Sequence, residues 1–174
     1  CLTANPDATS LVISSGGGNT DTAIEAARLL HERQVGLTVL GLCHSSCGNY
    51  LLPAASSVTV RPWSVVMLHG APPDRARMRE TVRTALLDAL PEDQVTDALI
   101  DAQTDAGIGQ RIRHEAFATE FGVGPEWYDL TFYYAALETL PEEQHALLLV
   151  SEDFMRQCLP EQTFSSVWAP QSAE

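Results

Sequence analysis

An α/β fold of parallel strands and helices, extended by a mainly helical C-terminal part, is what three features of the 174-residue chain predict. Short apolar or β-branched runs alternate with helix-length segments between residues 10 and 68. Small-residue turns rich in glycine and serine stand where strands give way to helices. From Asp74 onward the spacing of apolar residues is helical. Strands that alternate with helices pair in parallel, because each crossover returns the chain to the same edge of the sheet. A chain of this length builds one well-buried domain. The expectation is a single domain over 1–174, with a β-α core in 1–72 and a mainly helical part in 73–174.

Ser10 to Ser14 is a short strand run. Thr20 to Arg33 places Ala23, Ile24, Ala27 and Leu30 at helical spacing, with Asn19, Thr20 or Asp21 as caps. Gln34-Val35-Gly36 breaks that helix, and Leu37 to Leu42 reads as a buried strand. Ser46 to Ala55 reads as a short helix burying Tyr50, Leu51 and Leu52. Ser57 to Val60 and Val65 to Leu68 are further strands, separated by Arg61-Pro62. Beyond the Gly70-Ala71-Pro72-Pro73 loop, Asp74 to Leu90 is helical, Pro91 to Gln94 opens another helix through Val95, Leu99 and Ile100, and Ile108 to Glu120 continues the trend. After the break at Phe121 to Pro125, Trp127, Tyr128, Phe132, Tyr133 and Tyr134 form an aromatic cluster, read as a face packed on the core or on a partner subunit. His31, His114 and His145 stand among charged helical residues and read as surface positions.

Composition narrows the function. Hydrophobic residues make up 45% and charged residues 19%, an ordinary globular balance. A net charge of −13 opposes nucleic acid and anionic membrane surfaces. Arg75, Arg77, Arg79 and Arg83 form a basic cluster, read as a solvated helical face. No apolar run approaches the roughly 18 residues of a membrane span. All ten basic residues are arginine, so the chain holds no lysine to act as a catalytic base.

The chemistry concentrates in three segments. Gly41-Leu42-Cys43-His44-Ser45-Ser46-Cys47-Gly48 puts serines on a small-residue turn after a strand. Pro62-Trp63-Ser64-Val65-Val66-Met67-Leu68-His69 closes another strand on a histidine. Serine hydroxyls need a nearby base to become nucleophiles, and such a turn beside a strand-end histidine suggests nucleophilic catalysis. Upstream, Ser14-Ser15-Gly16-Gly17-Gly18 offers bare backbone N–H groups at a strand-to-helix turn, suited to an oxyanion.

In that order the segments resemble the ClpP/crotonase superfamily of serine peptidases, and within it the ClpP-like, predicted periplasmic group whose nucleophile sits between two cysteines. The resemblance covers about residues 10 to 70, with a short further motif at Leu149 to Leu159. It implies a β-β-α superhelix of parallel strands, with Ser45 as nucleophile, His69 as base, and Gly16, Gly17 and Ser46 as the backbone of the oxyanion hole. It implies no cofactor, a peptide or protein substrate, and self-association through the helical region from Asp74 to Glu120. It also implies a periplasmic or otherwise extracytoplasmic place, and a chain that lacks the strand and helix with which relatives begin.

The orienting carboxylate fits least. The family pattern counts back from Ser151 to Leu147, which cannot orient an imidazole; Asp153 is the nearest substitute and Asp129 the second. Asp153 equally suits an ordinary first-turn acid of a helix. His44 stands where the family has alanine and reads as a pocket or solvent-facing residue; a zinc site with Cys43, Cys47 and His69 is poorly spaced. Cys43 and Cys47 are either a disulfide, which would suit an oxidising compartment, or two small buried residues. A crotonase-type acyl-CoA enzyme would lack a lysine for the CoA phosphate. The readings that stand are a serine peptidase and a catalytically inactive scaffold on the same fold.

Overall fold

A computed structural model of the protein describes residues 3–68, 70–128, 150–160 and 162–167. They fall into two compact units: one comprises the described residues through Gly70 and from Ala118 onward, the other Ala71–Phe117.

The first unit is α/β, with a sheet of five strands among the described residues, all paired in parallel. The strands are β1 (Ser10–Ser15), β2 (Gly36–His44), β3 (Val58–Val60), β4 (Val65–Met67) and β5 (Phe164–Val167). Strand β2 organises the sheet. Its early residues Leu37 to Val39 pair with β3 and its late residues Leu42 to His44 pair with β4. Strand β1 runs along β2, but its register slips between Ile13↔Val39 and Ser15↔Cys43. The slip is a bulge at Leu40-Gly41, where Gly41 takes φ 100°, a left-handed conformation that favours glycine. Two hydroxyls hold it: Ser64 Oγ accepts from Gly41 N at 2.8 Å and Ser14 Oγ accepts from Leu42 N at 3.3 Å. The bulge lets one strand serve two partners, and its far end carries the serine turn.

Helix α1 (Thr20–Glu32) packs beneath. Asn19 caps it by accepting from Thr22 N at 3.0 Å, and Ile24, Ala27 and Leu30 form its buried stripe. Gln34, at φ 52°, ends it: Gln34 N donates to His31 O and Val35 N to Leu30 O, the paired C-terminal bonds that close a helix before the chain turns into β2. Leu30, Leu37, Val39, Leu52 and Val58 are fully enclosed in the core. Each such side chain contributes about 1.5–3 kcal/mol by leaving water.

After the serine turn the chain makes a π-helical turn, Cys47–Leu51, and then one α-turn, α2 (Leu52–Ala54). Tyr50 and Leu52 are buried as expected, while Leu51 is half-buried. Near the C-terminal end, α5 (Glu152–Cys158) starts at the Ser151 cap, which accepts from Phe154 N at 3.2 Å. Strand β5 then joins the sheet beside β3. A mainly helical C-terminal part is the expectation for this region, and Phe164-Ser165-Ser166-Val167 is too short and too polar to signal a strand. Its β state comes from pairing with β3.

The second unit holds α3 (Arg75–Ala89) and most of α4 (Asp97–Glu120), joined through a 3-10 turn at Glu92–Gln94. Thr96 interrupts the predicted continuous helix by capping α4, its Oγ1 accepting from Leu99 N at 3.2 Å. Helix α3 buries no residue, and Arg75 and Arg79 reach Asp105, Asp97 and Asp101 on α4. The basic cluster is thus largely a solvated, ion-paired face. His114 corrects the surface reading: it is 3% exposed. It shares a helical stripe with the buried Ile100, Thr104 and Phe117, which its charged neighbours Arg113 and Glu115 hide in the sequence. His31 is exposed and meets the edge of Phe121. His145, Phe132, Tyr133 and Tyr134 lie outside the described residues. No described helix is long and apolar enough to cross a membrane.

Candidate active site

Two strand-to-helix turns meet at the C-terminal ends of β1 and β2, where parallel sheets present loops to ligands. The second turn carries Ser45. Its φ is 57°, an uncommon left-handed value for a side chain with a Cβ, costing on the order of 1–3 kcal/mol. Three contacts hold it there. Ser45 N donates to Met67 O at the end of β4 at 3.2 Å, and Ser45 O accepts from Asn49 N at 2.8 Å. A disulfide joins Cys43 to Cys47, closing the turn on itself with the serine at its centre. Both cysteines are buried, while Ser45 and His44 are half-exposed. With each sulfur bonded to the other, neither is a thiolate able to bind zinc.

The first turn lies directly against it. Gly17 has φ 94°, and a Cβ there would stand 2.6 Å from Ser45 Cβ and 2.8 Å from His44 O. Ser46 fastens the two turns, its buried hydroxyl donating to Gly18 O at 2.7 Å. Gly16 faces open space, with no atom within 4 Å of where its Cβ would be. Gly17 N donates to Ser15 Oγ at 3.1 Å, so this N–H already has an acceptor.

Gly16, Gly17, Ser45 and Ser46 are therefore brought together. His69 lies outside the described residues; Met67, two residues before it, is bonded to Ser45. Asp129 and Leu147 also lie outside them. Asp153 sits in the exposed first turn of α5, and no hydrogen bond or ion pair joins it to Ser45 among the described residues. The start of this segment does approach the site's strand, since Val150 N donates to Val66 O at 3.1 Å.

Further residues flank the turn: Asn49, and Trp127 and Tyr128 of the aromatic cluster, which are buried. Asn49, buried, donates Nδ2 to Gly70 O at 3.4 Å. Trp127 Nε1 donates to Gly48 O at 3.3 Å, and Tyr128 Oη–H donates to Asn49 O at 2.9 Å. Burial pushes the Tyr128 phenol well above its ordinary range, so it stays a protonated donor. The only signal for these contacts was Pro53, which deprives the preceding turn of a donor. Cys158 is free and buried, and its thiol is pushed up to about 11, chiefly by burial; it is unreactive at neutral pH.

No protein-family model matches the chain, and no curated protein matches it.

Proposed function

We propose that the protein is a serine hydrolase of the ClpP-like kind, cleaving peptide or ester bonds with Ser45 as nucleophile and His69 as base. The observation that carries this reading is the left-handed conformation of Ser45 on a strand-to-helix turn pressed against Gly17. Backbone strain of this kind gathers at functional sites, and here it falls on a half-exposed serine at the end of a parallel strand. Ser45 Oγ attacks the carbonyl carbon while His69 takes its proton and then returns it to the leaving amine or alcohol. The N–H of Ser46 and those of the Gly16-Gly17 turn are the proposed donors for the oxyanion. Gly17 N would be shared with Ser15 Oγ.

The β-β-α superhelix of the ClpP/crotonase superfamily is the proposed form of the α/β unit. A disulfide at the turn fits an extracytoplasmic setting. The proposed partners are a peptide or protein substrate and further copies of the chain. Asp153 is the proposed orienting carboxylate; its exposed position in α5 favours the second reading, a ClpP-fold scaffold that has lost its catalysis.

A fluorophosphonate probe with mass mapping separates the two. The hydrolase reading expects an adduct on Ser45 that vanishes in Ser45→Ala and His69→Ala. No adduct from the folded protein overturns it and leaves the scaffold.

A further inference from the structure

A proline sits inside the short helix behind the nucleophile. The turn Cys47–Leu51 is π-helical, with Leu52 N donating to Cys47 O. Pro53 comes next and has no N–H. In the π register its missing donor orphans Gly48 O, and in the α register it orphans Asn49 O. Both residues are buried, Asn49 being 3% exposed, and a buried carbonyl without a donor is costly.

Those two carbonyls are the ones that Trp127 and Tyr128 reach, at 3.3 and 2.9 Å. Trp127 is fully buried and Tyr128 7% exposed, so neither donor competes with water. Trp127 is set in place from behind: it closes the turn Pro125–Trp127, Gly124 N donates to Cys158 O at 2.8 Å, and Phe154 of α5 stacks on its ring at 5.9 Å. Asn49, whose carbonyl Tyr128 holds, in turn donates its own N–H to Ser45 O.

We propose that Trp127 and Tyr128 are positioning residues for Ser45, satisfying the two carbonyls that flank the register change where Pro53 lacks its N–H and so holding the π-helical turn against the nucleophile. The proposal rests on the serine-hydrolase reading. It assigns α5 and the Pro125–Trp127 turn a part in the site that does not need a carboxylate.

The test compares Tyr128→Phe, which keeps the ring and removes its hydroxyl donor, and Trp127→Phe, which removes the indole N–H and leaves a smaller ring, with Val58→Ala, which thins the core at β3 and so reports the effect of lost packing alone. Two quantities are read: the second-order rate of fluorophosphonate labelling at Ser45, and hydrogen exchange at the Asn49 amide. Expected is a fall in labelling of about tenfold in each ring variant, with Asn49 exchange faster by a similar factor. Val58→Ala should label at the parent rate despite lower stability. Parent-like labelling and exchange in both ring variants would overturn the proposal alone, as would a rate that tracks stability across all three. A parent protein that takes no probe at Ser45 overturns both the proposal and the hydrolase reading.

Discussion

A methyl group on Gly17 would stand 2.6 Å from the Cβ of Ser45 and 2.9 Å from the nitrogen of Ser46, so the two turns meet only because residue 17 has no side chain. Gly17→Ala adds a forbidden contact to an unfavourable φ, since both atoms belong to a turn pinned by a disulfide. We expect a loss of roughly 2 to 4 kcal/mol in urea denaturation. Labelling of Ser45 should be abolished even at temperatures where the variant is folded. Gly16→Ala, which meets open space, is the comparison and should stay within about 0.5 kcal/mol of the parent.

The Cys43–Cys47 bond closes a very short loop, so its effect on the unfolded chain is small. Chain-entropy arguments give about 2 kcal/mol. Its effect on the site should be larger, because it holds the segment in which Ser45 keeps its left-handed conformation. Reduction with a phosphine, or the Cys43→Ala/Cys47→Ala pair, should lower the urea midpoint modestly and slow probe labelling at least tenfold. Labelling at the parent rate in the reduced protein would show that the packing against Gly17 is sufficient.

Ser64 acts at a distance from the chemistry. Its buried hydroxyl accepts from Gly41 N at the bulge that turns β2 from β3 toward β4. Ser64→Ala removes the acceptor of a part-buried N–H that water can still reach from the exposed Gly41 side, and should cost about 0.5–1.5 kcal/mol by equilibrium unfolding.

His114 makes stability depend on pH. Burial first, and then the charge of Arg111, lower its pKa from 6.5 to about 4, against an opposing pull from Glu115. Above pH 6.5 the ring is neutral in both states and contributes no pH dependence. As pH falls from 6.5 towards 4 the unfolded chain takes up a proton that the folded one refuses, and stability drops by no more than about 3 kcal/mol. Urea melts across this window should show the drop, and His114→Gln should flatten it.

The readable parts of the chain were those governed by neighbours in sequence. Helix α1 was visible in the spacing of Ile24, Ala27 and Leu30 and in its Asn19 cap, and β2 in its run of apolar residues. The small-residue turns showed where strands end, because left-handed and tightly packed backbone needs little side chain. Strand β5 was not visible, since four residues with two serines carry almost no β signal without β3 beside them. His114 is buried where its sequence context suggests a surface position, because charged neighbours on both sides say nothing of which helix face it occupies. Trp127 and Tyr128 were seen as an aromatic group, but their hydrogen-bond partners lie 79 residues away.

By itself, then, the sequence determined what is local or compositional: the alternation of strand and helix, the acidic charge, the absence of lysine, and a serine on a turn too small to crowd it. Only the tertiary structure decided that Gly17 abuts Ser45, that Cys43 and Cys47 are bonded, and that Trp127 and Tyr128 satisfy carbonyls beside Pro53. Helix and turn preferences arise from bonds and clashes within a few residues. A buried carbonyl takes whichever donor the folded chain brings to it, and no local rule names that donor.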